Sequence, residues 1–364
     1  MDKINITLLL IIIICIICNT KIYYYLIDFL FSSIAPKDES TLENKILSDK
    51  LYQMKYNIES DIKKDTSVDC SLKKIKTVHY QDIKDKLNES YFEMITNKYT
   101  QPILIKNVFD IKTLQKYNFD TLSNKYGNVI VDAVAISGGE EDVKSINVPF
   151  REYIKKINNG EKYYLTVNNS LANALDISEL EIFYKNIFSH YGVKNIFVGN
   201  RHSSTHLHSE LPASCGIQLY GIKKWYLIEP EYSEHLHPIP DDTGIFRVAT
   251  CGFKINPSID HIPRYEIICE QGDFLFVPPW WWHETLNLTD NNVMFSNRPA
   301  LFFAPYSTNL GYTLRSIVPS LAYNETVYPI LQHANLIDAE EDTVINSLKV
   351  INHRVPNAVK KIMH

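Results

Sequence analysis

The chain has 364 residues, 45% apolar and 22% charged, which is ordinary globular composition with length for one large core and flanking elements. A formal net charge of -5 removes any global drive toward nucleic acid, so no DNA partner is expected. Aromatic residues make up 12%, with 23 tyrosines, and favour β-rich or mixed architecture because rings suit half-buried pleated surface.

The N-terminus opens with an apolar run, "INITLLLIIIICIIC" (4–18), followed after Lys21 by "IYYYLIDFLF". Fifteen residues are short for a bilayer span, but a snorkelling Lys21 extends the stretch to the required length of about 20. No small-x-small cleavage site follows, so an uncleaved single-pass signal anchor over 1–35 is expected rather than a cleaved signal peptide. Lys3 and Lys21 nearly balance the flanking charge; a luminal catalytic region is the expected topology. Outside the expected anchor, four sequons, at Asn88, Asn168, Asn287 and Asn324, match chance in so asparagine-rich a chain. Cys70, Cys215, Cys251 and Cys269 show no CxxC spacing and no dense disulfide framework.

Residues 36–76 are polar and lysine-rich and read as a stalk or linker. From 77 to 190 the pattern is α/β: a strand in "QPILIKNVF" (101–109), an amphipathic helix over 111–127, a strand at 128–136, then a short helix, a stop at Gly160 and another strand. From 191 to 300 short strands alternate with turn residues, as in an antiparallel sandwich or barrel. Gly221 and Gln271-Gly272-Asp273 mark expected hairpins. Residues 301–364 turn helical again, a cap suited to packing on the barrel or to homodimerisation.

Within the barrel region "STHLHSE" (204–210) sets His206, His208 and Glu210 at alternate positions, which a strand projects from one face. A mononuclear oxygen-activating iron needs two histidines and one carboxylate on one side, leaving the other positions open. His283, in "GDFLFVPPWWWHETLNL", is the candidate third ligand on a separate strand, with Trp280, Trp281 and Trp282 walling it from water. Spacing alone leaves open which of His206 and His208 is a ligand.

These stretches, with "GIKKWYLIEP", "PRYEIICEQGDFLFVPP" and a closing "NVMFSN", resemble the JmjC and cupin-like (cupin-8 type) Fe(II)- and 2-oxoglutarate-dependent oxygenases over roughly 100–300. The resemblance implies a mainly β fold, a double-stranded β-helix (jelly-roll) core with N-terminal α/β elements and a C-terminal helical cap. It selects His208, because the family's HxD or HxE motif has a threonine three residues before its histidine and a 2-oxoglutarate lysine about fifteen after. Thr205 and Lys223 stand at those positions. His208, Glu210 and His283 are thereby implied as iron ligands, Lys223 and Thr205 as cosubstrate-binding, and Asn297 and Tyr164 as further polar groups beside the cosubstrate. Lys224 points to the opposite face by parity. Glu210 departs from the family's usual aspartate.

The implied reaction is oxidative decarboxylation of 2-oxoglutarate to succinate and CO2 coupled to hydroxylation, with O2 as cosubstrate, ascorbate as reductant and a protein or peptide side chain as the first-choice substrate. N-methyl demethylation and RNA-base hydroxylation use the same chemistry. A membrane-tethered, non-catalytic metal- or ligand-binding cupin and a zinc or manganese cupin isomerase are the rivals. His235, His237 and His261 lie in the long insertion 231–264, off ligand spacing, and read as loop residues.

Overall fold

The computed structural model describes residues 24–25, 28, 53, 55–60, 72–135, 145–166, 168–189, 192–240, 246–249, 262–299, 301, 303–314 and 316. In chain order, β1 (Leu72–Lys73), β2 (Lys76–His79) and β3 (Ile103–Lys106) carry the lead-in onto the edges of two sheets. Between them α1 (Glu89–Ile95) starts at Asn88, whose side chain accepts the Tyr91 N–H at 2.9 Å. The expected helix 111–127 is divided. After a turn over Ile111–Leu114, Asn118 takes extended backbone and caps α2 (Phe119–Tyr126) by accepting from the Thr121 N–H. β4 (Ile130–Ala135), β5 (Ser145–Pro149) and β6 (Tyr163–Tyr164) form a small sheet, with α3 (Phe150–Asn158) and α4 (Ser178–Ile187) packed beside the core.

The core follows as β7 (Val193–Gly199), β8 (Ser204–Glu210), β9 (Ser214–Tyr220), β10 (Lys223–Ile228), β11 (Pro238–Pro240), β12 (Phe246–Ala249), β13 (Arg264–Cys269), β14 (Phe274–Val277), β15 (Trp282–Asn287) and β16 (Asn292–Arg298). One sheet has the order β1-β13-β10-β15-β8-β12-β11, the other β2-β3-β14-β9-β16-β7. This is the jelly-roll anticipated from the sequence, mainly β with flanking helices. Gly221 (φ +78°) and Gly272 (φ +93°) do make turns that favour glycine, but neither closes a hairpin. β9 and β10 lie in different sheets, as do β13 and β14, so each glycine turn carries the chain from one sheet to the other.

Period-two alternation explains how the six-stranded sheet is covered on both faces. Ile103, Ile105, Ile217, Phe274, Phe276, Val293 and Phe295 pack against the helices. Their neighbours Leu104, Leu275, Val277 and Met294 meet Trp225, Leu227 and Ile267 of the other sheet and fill the barrel.

The expected N-terminal anchor requires correction. No helix among the described residues is long and apolar enough to cross a membrane, and the run 4–18 itself lies outside them. The second half of the expected span makes polar, buried contacts with the barrel instead. Tyr24 and Tyr312 join hydroxyls at 3.0 Å, and Asp28 accepts from Arg247 Nη1 at 2.8 Å. Arg247 is fully buried, its guanidinium 3.7 Å from the Tyr312 ring. The luminal placement that depended on the anchor goes with it. Within the segment expected as stalk, Lys55 and Glu59 are buried: Lys55 donates to Glu59 and, at 2.6 Å, to the Pro238 carbonyl, while Glu59 meets His237 Nδ1 at 2.7 Å. Of the three histidines expected in the loop, His237 lies outside regular structure but is buried, His235 is buried in a short 3-10 helix, and His261 lies outside the described residues.

Removing one partner of a buried ion pair leaves an uncompensated charge, whereas replacing both by apolar groups does not. Asp28→Ala is therefore expected to lower unfolding free energy by about 3 kcal/mol, and Asp28→Leu with Arg247→Met by clearly less. Urea unfolding of the three proteins measures both.

Candidate metal centre

Pairing of β8 with β15 builds the site. His208 lies directly opposite His283, with ring centroids 4.1 Å apart. Glu210, two residues along β8, projects to the same side and is almost fully buried. Ligand-type atoms of His208, Glu210 and His283 all fall within 4.8 Å of one another. This is the only group of three or more such residues found among the described residues.

Backbone carbonyls fix both imidazoles. His208 Nδ1 meets the His206 carbonyl at 2.7 Å and His283 Nδ1 meets the Trp281 carbonyl at 3.0 Å. A proton on each Nδ1 leaves the Nε2 lone pair as the ligating position, the usual arrangement for a metal-binding histidine. Burial, and for His208 the adjacent His283, holds both pKa values below the ordinary imidazole range, so the neutral, ligating form prevails at pH 7. Glu210 Oε2 forms an ion pair with Arg298, whose Nη1 lies 3.0 Å away. Its other oxygen, Oε1, is buried without a hydrogen-bond partner and lies 4.0 Å from His283 Nε2. An orphaned carboxylate oxygen facing two imidazoles has the donor chemistry of a divalent metal site. The residues fit the group.

The turn into β15 grips β8 beside these ligands. Trp280 N–H donates to the Glu210 carbonyl at 2.8 Å and Ser209 Oγ to the Trp280 carbonyl at 2.8 Å. Trp280 holds φ +61°, a left-handed backbone that a bulky residue adopts only under surrounding constraint. The three tryptophans are tied in different directions: Trp280 Nε1 to Thr313, Trp282 Nε1 to Ser233, Trp281 Nε1 to the Thr100 carbonyl. All three are buried, with Trp281 on the barrel side.

Thr205 reaches the site through an irregularity. His208 pairs with His283 and Thr205 with Thr285, so His206 and Leu207 of β8 oppose Glu284 alone. This bulge cancels one step of alternation, which lets Thr205 share the ligand side although it is three residues from His208. Thr205 Oγ1 and Thr285 Oγ1 are 3.0 Å apart. His206 is exposed, outside the cluster.

Lys223 is buried on the inner side of β10, and its Nζ donates to Tyr164 OH at 2.9 Å. The Thr285 side chain moderates the rise that burial imposes on the Tyr164 pKa, and Thr285 in turn meets Thr205, so hydroxyls run from Lys223 toward the histidine pair. Gly199 on β7 makes room for the Tyr164 ring, because a Cβ there would sit 2.7 Å from it. Among the described residues no carboxylate forms an ion pair with Lys223, and burial pulls its pKa down to about 7. Lys224, as expected from parity, points outward to Glu266 at 2.7 Å.

Asn297 is not beside this cradle. It shares the β16 face of Val293 and Phe295, toward the helices, and its amide clasps Gly192, accepting from the N–H at 3.0 Å and donating to the carbonyl at 3.3 Å. Met294, Ser296 and Arg298 occupy the barrel face instead. Arg298 and Thr285 were missed by the sequence reading. Period two from His283 leads to Thr285, and period two from Met294 leads to Arg298; the strand register that selects those faces was the missing information.

The sequence profile of the cupin-like domain matches residues 89–297, more than half of the chain. The chain is 35% identical over 71 residues to a tRNA wybutosine-synthesizing protein 5 of Danio rerio, covering 20% of this chain and 22% of that protein. It is 26% identical over 159 residues to an HSPB1-associated protein 1 of Mus musculus, covering 39% and 31%. A JmjC domain-containing protein 8 of Mus musculus is 26% identical over 165 residues, covering 42% and 58%. The chain thus spans less than a third of the length of the first two relatives. With the profile match, the jelly-roll topology and the converging His-Glu-His group, the chain belongs to the cupin-like family.

Proposed function

We propose that the protein is an Fe(II)- and 2-oxoglutarate-dependent oxygenase that hydroxylates a protein side chain. The observation that carries this reading is Lys223: a buried cation without a carboxylate partner among the described residues, approached by Tyr164 and lying along the barrel from the ligand group. Burying a lysine is costly unless an anion compensates it. A zinc or manganese isomerase, or a cupin that only holds metal, leaves that lysine unexplained.

When bound, Fe(II) supplies the activation of O2 that couples decarboxylation of 2-oxoglutarate to succinate and CO2 with oxygen insertion into a C–H bond. His208, Glu210 and His283 would hold it on one side, leaving positions open for the keto acid end of the cosubstrate. Lys223 would take the distal carboxylate as a point charge, with hydroxyl donors from Tyr164 and Thr205. Trp281, Leu227 and Met294 keep water from the interior between these ends.

RNA-base hydroxylation is the second reading, supported by the similarity to a protein named for wybutosine synthesis in tRNA. The net charge of -5 gives no general attraction to a phosphate backbone, which favours the protein substrate. Capture of partners on the His208→Ala protein, followed by mass spectrometry for an added oxygen on peptide or RNA exposed to the active protein, separates the two.

With Fe(II), ascorbate and O2, the protein is expected to release succinate from 2-oxoglutarate, and His208→Ala and His283→Ala to abolish that release. Absence of both turnover and 2-oxoglutarate binding in the unaltered protein overturns the reading. Lys223→Ala should weaken 2-oxoglutarate binding between about tenfold and a hundredfold, the worth of a charged hydrogen bond, as read by calorimetry.

The lysine also sets a pH dependence. An anion binds the protonated amine and raises its pKa, so binding takes up a proton wherever the free amine is neutral. Because the free amine titrates at about 7, the dissociation constant for 2-oxoglutarate should be flat below pH 7. Above it the constant should rise by up to about tenfold per pH unit, and Lys223→Ala should remove the slope.

A further inference from the structure

We infer that Arg298 is a positioning residue which makes the longer Glu210 side chain serve as a one-oxygen metal ligand, an inference that rests on the metal-binding reading above. Glutamate has one more methylene and one more rotatable bond than the aspartate usual in this family. Its carboxylate therefore needs an external hold to present one oxygen to a metal. Arg298 supplies that hold from the opposite sheet, with Nη1 3.0 Å from Oε2, while Oε1 remains buried, without a hydrogen-bond partner, and 4.0 Å from His283 Nε2.

The backbone under Arg298 is itself fixed. Asn297 clasps the N–H and carbonyl of Gly192, and Gly192 approaches so closely that a Cβ there would lie 1.4 Å from the Arg298 carbonyl oxygen. Only glycine permits that approach. The clasp locks the end of β16 so that Arg298, on the barrel face with Met294 and Ser296, is aimed at Glu210. Asn297 thereby acts on the site through Arg298 rather than by touching a cosubstrate.

Electrostatics gives a second argument. A guanidinium beside a site for a divalent cation repels that cation, and burial amplifies the repulsion. Arg298 is largely buried, at 18% exposure, and its charge reaches both His208 and His283. Such placement is unfavourable for a residue that merely fills space. It is intelligible when the orientation of the carboxylate gained from the pair outweighs the repulsion.

The test is a double-mutant cycle on Co(II) binding by the full chain, followed by titration and by the visible d–d spectrum. Arg298→Met is expected to weaken Co(II) about tenfold, in the range for groups that orient metal ligands, and to alter the spectrum. Glu210→Asp is expected to weaken it as well, since the shorter arm cannot reach both Arg298 and the metal. The double variant should then bind no more weakly than Glu210→Asp alone. Multiplicative effects, an unchanged spectrum in Arg298→Met, or tighter binding in that variant would overturn the inference while leaving the metal site standing. Failure of the unaltered protein to bind Co(II) would overturn both. Melting of each metal-free variant checks folding, and if Arg298→Met does not fold, Arg298→Lys enters the same cycle.

Discussion

Across β8 and β15 the imidazoles of His208 and His283 stand opposite one another, and most of the site's geometry follows from that one pairing. Opposed residues in an antiparallel pair have Cβ atoms about 5 Å apart, so two candidate ligands on adjacent strands are brought to metal-binding separation by the ladder itself. The third ligand then needs only to lie two residues along one strand, which Glu210 does. A one-residue slip would turn the whole set to the other face and separate it. The bulge at His206-Leu207, the Trp280 backbone bond to Glu210 and the indole bonds of all three tryptophans surround this pairing and oppose such a slip.

Alternation placed His206, His208 and Glu210 on one strand face and set Lys224 opposite Lys223, while the choice of His208 over His206 and of Lys223 came from the resemblance to the cupin-like family, as did the role of the distant His283. A sandwich or barrel was legible from short apolar strands with turn residues, which need two facing sheets to bury them, and the family resemblance narrowed it to a jelly-roll. Thr205 was assigned by family spacing, but its physical route to the site was not readable. Three residues from His208 is the wrong parity for a regular strand, and only the bulge corrects it.

Other features depend on register or on long-range contacts, which a single chain does not encode locally. Asn297 differs by one residue from the inward face of β16, and one residue is enough to move a polar group from the barrel to the helices. Gly221 and Gly272 correctly marked turns, but whether a turn pairs its flanking strands or carries them into different sheets is a tertiary matter. The N-terminal segment was misjudged because Tyr24 and Asp28 stand in a greasy run whose average hides them. Their partners, Tyr312 and Arg247, lie more than two hundred residues away.

Two cations near the His-Glu-His group, Arg298 and Lys223, differ in a way that bears on the proposed cosubstrate orientation. Arg298 already has its anion, the Oε2 of Glu210, so it adds little net attraction for a second one. Among the described residues Lys223 has no carboxylate partner, its Nζ donating to the Tyr164 hydroxyl, so its charge is uncompensated whenever the amine is protonated. On the proposed reading, a dianion longer than a single carboxylate would gain most by placing one end at Lys223 and the other at a cation held by His208, Glu210 and His283. Exchanging the roles, with Lys223 paired internally and Arg298 free, would draw the anion onto the carboxylate ligand and set the two in competition. The observed division keeps the ligand carboxylate occupied from behind and leaves the attraction at the far end.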